Sequence, residues 1–401
     1  MADTILKLDP EIIIGTDTVN RAGALCGRKG SKVMIATEQG LYENNLIDRL
    51  IRILEDSGLE TILFDEIPAQ STADVAENAA SLARGACCDM IVGFGGLKTQ
   101  YIAKLISILA VSSFTLFDLL DGKVEDRMFL PYAAIPSAGG DPFLFTDHFI
   151  AIDPRDRNVK LVKCPRGMCS TVILDSGFSE PLSGQFASTT AFDGLFISLE
   201  AYCSAKSSFL SDALLEQAIS IYAQMMHSYS ATTIDRASVS AMPDIPGLPL
   251  LNQVSDFPAA SVHAGFLLSM GASASSPGIG TALTYAINGK FPVAKSWCAT
   301  VLLPYIMEKL VAARPEKMAK VASIMGENTD GVPMAEAANL AVDIIRRKMG
   351  QLAVPARLKD FKLSLDRLVP AAEAARNLEF VAFSPWTVTS EDAYDLLKQA
   401  F

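Results

Sequence analysis

Two glycine-bearing corners and one carboxylate carry the residue types and spacing that suit nucleotide chemistry. The apolar run Met90-Ile91-Val92-Gly93 leads into Phe94-Gly95-Gly96-Leu97-Lys98 and then into a helical pattern. Glycines at such a corner let the backbone approach a pyrophosphate, and the first turn of the helix offers N–H donors with partial positive charge. A tight strand-to-helix corner also needs glycine for its own geometry, so this motif alone admits a purely structural reading. The second corner, Ile135-Pro136-Ser137-Ala138-Gly139-Gly140-Asp141-Pro142, follows another apolar run. Paired corners at the carboxyl ends of strands suggest a dinucleotide crevice. The candidates are Gly95, Gly96, Leu97 and Lys98 from the first corner and Ser137, Ala138 and Gly140 from the second. Glu38, after Val33–Thr37, stands where such folds bond an adenosine ribose hydroxyl, which would favour NAD over NADP. Its alternative is a solvated surface glutamate.

The elements that must position these residues follow from the hydrophobic pattern. Short β-branched runs alternate with amphipathic segments through residue 177, the signature of parallel strands joined by helices. Strands are predicted at Val33–Thr37, Thr61–Phe64, Met90–Gly93, Tyr132–Ile135, Phe149–Ile152, Lys160–Lys163 and Thr171–Leu174, and helices at Asn45–Ser57, Thr72–Gly85 and Thr99–Val111. Ser71 or Thr72 is the expected cap of the second helix. Strand signals then stop. Helices are predicted at 188–203, 211–226, 259–273, 280–288, 299–313, 315–325, 334–349 and 390–401. The division is a Rossmann-like α/β domain with a mostly parallel sheet, residues 1–177, and an all-helical domain, residues 178–401.

Composition limits the partners. The chain has 401 residues, half of them hydrophobic, and a net charge of −11. That balance repels phosphate backbones and anionic membranes, so neither nucleic acid nor a membrane is an expected partner. The charge-free stretch Phe257–Gly289 is long enough to span a bilayer, but its prolines, glycines and serines break it into two buried helices. The beginning of the chain lacks a basic-then-apolar signal pattern, and seven scattered cysteines suit a reducing, cytoplasmic setting. Buried thiols are their default reading.

The order of these segments resembles the iron-containing alcohol dehydrogenase family, which shares its architecture with dehydroquinate synthase. The family's GGGSxxDxAK loop is similar to Gly95-Gly96-Leu97-Lys98-Thr99-Gln100-Tyr101-Ile102-Ala103-Lys104, with Lys98 and Tyr101 in place of Ser and Asp. Its IPTTAGTGSE loop resembles Ile135–Leu144 in its front half. Its DAxxHAxEAY helix is similar to Asp193-Gly194-Leu195-Phe196-Ile197-Ser198-Leu199-Glu200-Ala201-Tyr202, and Gly271, Gly278 and Gly280 match the glycines before its paired-histidine helix. The aliphatic-proline segment after that helix matches Val301–Met307.

The resemblance implies a divalent metal held by one Asp and three His. Here the Asp position is Asp193, while the histidine positions fall on Ile197, Leu283 and, within two residues, Lys295; a neighbouring histidine position falls on Ile287. His148, His227 and His263, the chain's three histidines, match none of them. A lone carboxylate among isoleucine and leucine lacks the three or four ligands that Fe²⁺ or Zn²⁺ requires, so no metal is expected. Lys295 and Asp193 become the catalytic candidates, the ammonium replacing the lost cation and polarising a substrate carbonyl; a structural ion pair is the alternative. Lys160, where relatives often carry a basic residue, is a further candidate beside the cofactor phosphates, or else a solvated strand end.

Three functional expectations follow. One is an NAD-linked oxidoreductase of a small alcohol, aldehyde or ketone without a catalytic metal. Another is a non-catalytic relative that keeps the scaffold for ligand binding or assembly. A lyase or synthase on the same fold is the third, and the second domain lacks the Lys, Arg and His clusters it would need. A small molecule is the expected ligand, and a homodimer is left open.

Overall fold

The computed structural model describes residues 8–39, 41, 45–123, 128–137, 140–178, 184–230, 257–352 and 354–401, with the side chains of 184–187 and 229–230 excluded. The chain forms two compact units: Lys7–Gly139 with Phe143–Glu180, and Pro181–Phe401 with Gly140–Pro142.

In the α/β unit the elements run β1 (Glu11–Gly15), α1 (Ala22–Cys26), β2 (Lys32–Thr37), α2 (Leu46–Asp56), β3 (Glu60–Phe64), α3 (Val75–Gly85), β4 (Met90–Gly95), α4 (Leu97–Leu109), α5 (Leu116–Leu120), β5 (Tyr132–Pro136), β6 (His148–Ile152), β7 (Val159–Lys163) and β8 (Cys169–Asp175). Six strands form one sheet in the order β1-β8-β5-β4-β2-β3, every pairing parallel. Parallel strands covered on both faces read as continuous apolar runs, and Val33–Ala36 and Met90–Val92 are fully buried. The core on one face joins Ile35, Val92, Phe94 and Ile173 to Ile47, Leu50 and Leu54 of α2. The chain leaves β2 for β3 and returns to place β4 on β2's other side. The carboxyl ends of β2 and β4 therefore flank a reversal of strand order, where open α/β sheets bind ligands.

Four expectations need correction here. β1, the edge strand paired with β8, was not among the predicted strands. β6 and β7 do not join the main sheet but form their own antiparallel pair. The helix expected from Thr72 begins at Val75, and neither Ser71 nor Thr72 caps it, the Thr72 hydroxyl donating instead to the Asp74 carboxylate. Cys87 is exposed, in a left-handed backbone conformation, and Cys169 is half-buried, so only five of the seven thiols are buried.

The second unit contains α6 (Gly184–Cys203), α7 (Phe209–Ser230), α8 (Phe257–Ser273), α9 (Ile279–Lys290), α10 (Lys295–Ala313), α11 (Pro315–Ile324), α12 (Met334–Gln351), α13 (Val369–Arg376) and α14 (Ser390–Gln399). Among its described residues no strand occurs. The charge-free stretch supplies α8 and α9, both densely buried. Among the described residues no helix is long and apolar enough to cross a membrane.

Candidate active site

The first corner is assembled by strand register. Thr37 pairs with Phe94 and Gly95 with Pro136, so the residues after β2, β4 and β5 emerge side by side. Gly95 has φ +151°, a conformation L side chains rarely adopt, and a Cβ there would lie 2.8 Å from the Glu38 Oε1 and 2.9 Å from Thr99. The Gly96 amide donates to Glu38 Oε1 at 2.7 Å, and the buried Ser137 donates its amide to the Gly95 carbonyl at 3.0 Å. The structure thus brings together Glu38, Gly95, Gly96 and Ser137. Leu97 opens α4, which no side chain caps. The peptide donors of that first turn fit a dinucleotide phosphate.

Lys98, also in that first turn, donates its amine to the Ala69 carbonyl. Burial, reinforced by the charge of Arg157, pulls this amine down to about 8. Ala138 lies outside the described residues. Gly140, at φ +102°, belongs to the helical unit, where a Cβ would stand 3.3 Å from the Tyr222 hydroxyl and 3.6 Å from Leu268. Lys160 sits on β7 opposite Ala151; against the upward push of burial, the hydrogen bonds and charge of Arg155, and last the charge of Lys160, hold the Asp153 carboxyl below the usual range.

A residue absent from the sequence-based candidates holds the corner together. The buried Gln100 side chain donates to the carbonyls of Gly93, at 3.0 Å, Gly95, at 3.0 Å, and Ile135, at 3.3 Å. Its carbonyl oxygen accepts from the Tyr132 hydroxyl. One amide therefore satisfies backbone groups on both β4 and β5 that a buried corner would otherwise leave unpaired. The sequence offers a glutamine four residues after Gly96 on the buried face of a helix, and that position is its only signal.

In the helical unit, Lys295 at the start of α10 donates to Asp193 of α6 at 2.5 Å, with 9% and 14% of the two side chains exposed. A cation at a helix N-terminus opposes the helix dipole, so this ammonium depends on the carboxylate. The Tyr285 ring, from α9, lies 5.1 Å from the Lys295 amine. One turn along α10, burial pushes the Cys298 thiol up to about 12 against the pull of Lys295. Ile197, Leu283 and Ile287 are all fully buried.

The implied metal can be tested against these side chains. Among the described residues no group of three His, Cys, Asp or Glu converges in a way that could hold an ion. Asp193 already carries the Lys295 ammonium, and Ile197 and Leu283, at two positions where the resemblance implies histidine ligands, are branched hydrocarbons. This donor set does not fit Fe²⁺ or Zn²⁺.

Asp193 shares α6 with a second buried carboxylate, Glu200. It accepts from the amides of Gly280 at 2.7 Å and Thr281 at 2.7 Å, and from the Thr281 hydroxyl at 2.6 Å, capping α9. Burial raises its carboxyl above the usual range despite these bonds. A Cβ at Gly280 would fall 2.9 Å from Glu200 Oε1 and 2.5 Å from Phe196. This is the physical reason for a glycine there.

The chain is similar to known proteins over nearly its whole length. Residues 9–176 match Iron-containing alcohol dehydrogenase, and residues 251–401 match the C-terminal part of the Fe-containing alcohol dehydrogenase family. A 1,3-propanediol dehydrogenase of Citrobacter freundii is 23% identical over 390 residues, 96% of each chain. An NAD-dependent methanol dehydrogenase of Bacillus methanolicus is 20% identical over 395 residues, 98% of each. The crystal structure of a 1,3-propanediol oxidoreductase covers 100% of both chains with a TM-score of 0.87 at 21% identity, showing the same fold. The chain belongs to the iron-containing alcohol dehydrogenase family.

Proposed function

We propose that this protein is an NAD-linked oxidoreductase of small alcohols, aldehydes or ketones in which the Lys295 ammonium takes the place of the family's metal. The observation that carries this reading is the 2.5 Å pair between Lys295 and Asp193, where the resemblance puts the aspartate ligand and, within two residues, a histidine ligand. Relatives named for 1,3-propanediol and methanol oxidation support the substrate class. NAD, held through the first turn of α4, would supply or accept the hydride.

In the reducing direction the carbonyl carbon gains a hydride and its oxygen becomes an alkoxide. Lys295 polarises that oxygen beforehand and gives it a proton afterwards, while Asp193 holds the amine in place. Such a preorganised donor contributes roughly 3 kcal/mol to a transition state in which the oxygen gains charge. The test is NADH consumption with short-chain aldehydes and ketones. Lys295→Met is expected to lower kcat about 10²-fold or more, and unchanged turnover would end the catalytic role.

A non-catalytic role is the second reading. The complete burial of Ile197, Leu283 and Ile287 favours it, as does the Gly96 amide already bound to Glu38. Thermal unfolding with NADH separates the two readings, because a ligand at 100 times its Kd adds about 2.7 kcal/mol. A shift on adding NADH supports the enzyme; its absence supports a scaffold.

A further inference from the structure

We propose that the Tyr222 hydroxyl is a second hydrogen-bond donor to the substrate oxygen, acting beside the Lys295 ammonium; this rests on the oxidoreductase reading above. Tyr222, on α7, is fully buried, and its hydroxyl has no hydrogen-bond partner among the described residues. An orphaned buried hydroxyl costs about 1–3 kcal/mol and is rare in native proteins. A group in this state has its hydrogen free for an acceptor that arrives with a ligand.

The surrounding residues are shaped to admit this hydroxyl. A Cβ on Gly194 would fall 2.1 Å from the Tyr222 Cζ and 2.5 Å from its oxygen. The bare backbone at Gly194 therefore admits the tyrosine ring and brings a phenol against the residue next to Asp193. Gly140 leaves room on another side, a Cβ there lying 3.3 Å from the same oxygen.

The chemistry fits a donor better than a base. Burial and then the Asp193 charge push the phenol well above its usual range, so it keeps its proton at neutral pH. During reduction the hydride goes to the carbonyl carbon, Lys295 protonates the alkoxide, and the phenol keeps its own hydrogen throughout. Its bond strengthens as negative charge gathers on the oxygen, which is the condition for lowering a barrier.

Tyr222→Phe preserves the ring against Gly194 and removes only the hydroxyl. Its kcat for aldehyde reduction is expected to fall about 10²-fold with KM changed by less than about 3-fold, while Tm stays level or rises because an orphan has gone. Isobutyramide, a non-reducible carbonyl compound, provides a readout free of turnover. Calorimetric binding to the NADH-loaded protein is expected to weaken about 10-fold in the variant, a loss of one neutral hydrogen bond. Wild-type kcat and isobutyramide affinity in Tyr222→Phe would overturn this inference alone, and a marked loss of Tm would reveal a structural role and overturn it as well. A wild-type protein that binds no NADH would bring down the oxidoreductase reading and this inference with it.

Discussion

The glycine corner of the α/β unit and the Asp193 surroundings of the helical unit are built from different materials. The corner's candidate donors are peptide N–H groups, set by the turn at Gly95 and braced by Gln100. Lys98, which stands where the family's loop has Ser, turns its amine to the Ala69 carbonyl and takes no part in those donors. Around Asp193 the family's donors are imidazoles, and each replacement changes what the position can do. A corner built from backbone donors therefore depends on turn geometry, and a cluster built from side chains depends on residue identity.

The largest expected effect lies on the side-chain side. Lys295→Met strands a nearly buried carboxylate, and the expected loss is about 3 kcal/mol in denaturant unfolding. Adding Asp193→Asn should recover more than half of it. A double variant no better than the single one would mean that the two residues do not act as a pair.

Glu200→Ala comes next, with an expected loss of about 2–3 kcal/mol, because the amides of Gly280 and Thr281 and the Thr281 hydroxyl lose their acceptor. Full NADH binding in this variant, followed by isothermal calorimetry, would sharpen the contrast by keeping damage to α9 separate from the glycine corner.

Gly95→Ala should cost about 1–2 kcal/mol from strain at φ +151°. It should also abolish the thermal shift on adding NADH. A retained shift would break the claim that this turn sets the donors.

The smallest effect is a pH dependence at Lys98. With its amine drawn from 10.5 down to about 8 by burial, the ammonium is lost as pH rises through that range. NADH affinity should fall about 2- to 3-fold between roughly pH 7 and pH 9, and Lys98→Met should flatten the profile. Over the window from about 8 to 10.5 the folded chain binds fewer protons at this residue than the unfolded chain. Its contribution to folding stability accordingly rises with pH there.

Legibility in the sequence followed the same division. Alternating apolar runs and amphipathic segments located β2, β3, β4, β5 and β8 and most helices to within a few residues, because burial on two faces or one stripe leaves a periodic trace. β1 was missed because the isolated run Ile12-Ile13-Ile14 lacks a following amphipathic helix of ordinary length. The separate pairing of β6 with β7 depends on long-range partners, which periodicity does not encode. At the site, Glu38, Gly95, Gly96 and Ser137 were legible because glycine and strand ends announce themselves. The contact between Lys295 and Asp193 was legible only through positions shared with the family. Gln100 and Tyr222 left no local signal, since their roles are set by what the fold brings to them; Gln100 reaches Ile135, 35 residues away. Glu200 was visible only as a position shared with the family's helix, its partners Gly280 and Thr281 lying 80 and 81 residues away.

The packing of Tyr222 against Gly194 interlocks α6 and α7. A side chain at 194 would need the volume that the ring already fills, so the two helices meet here only while one of them presents bare backbone, and any larger residue at that point would wedge them apart.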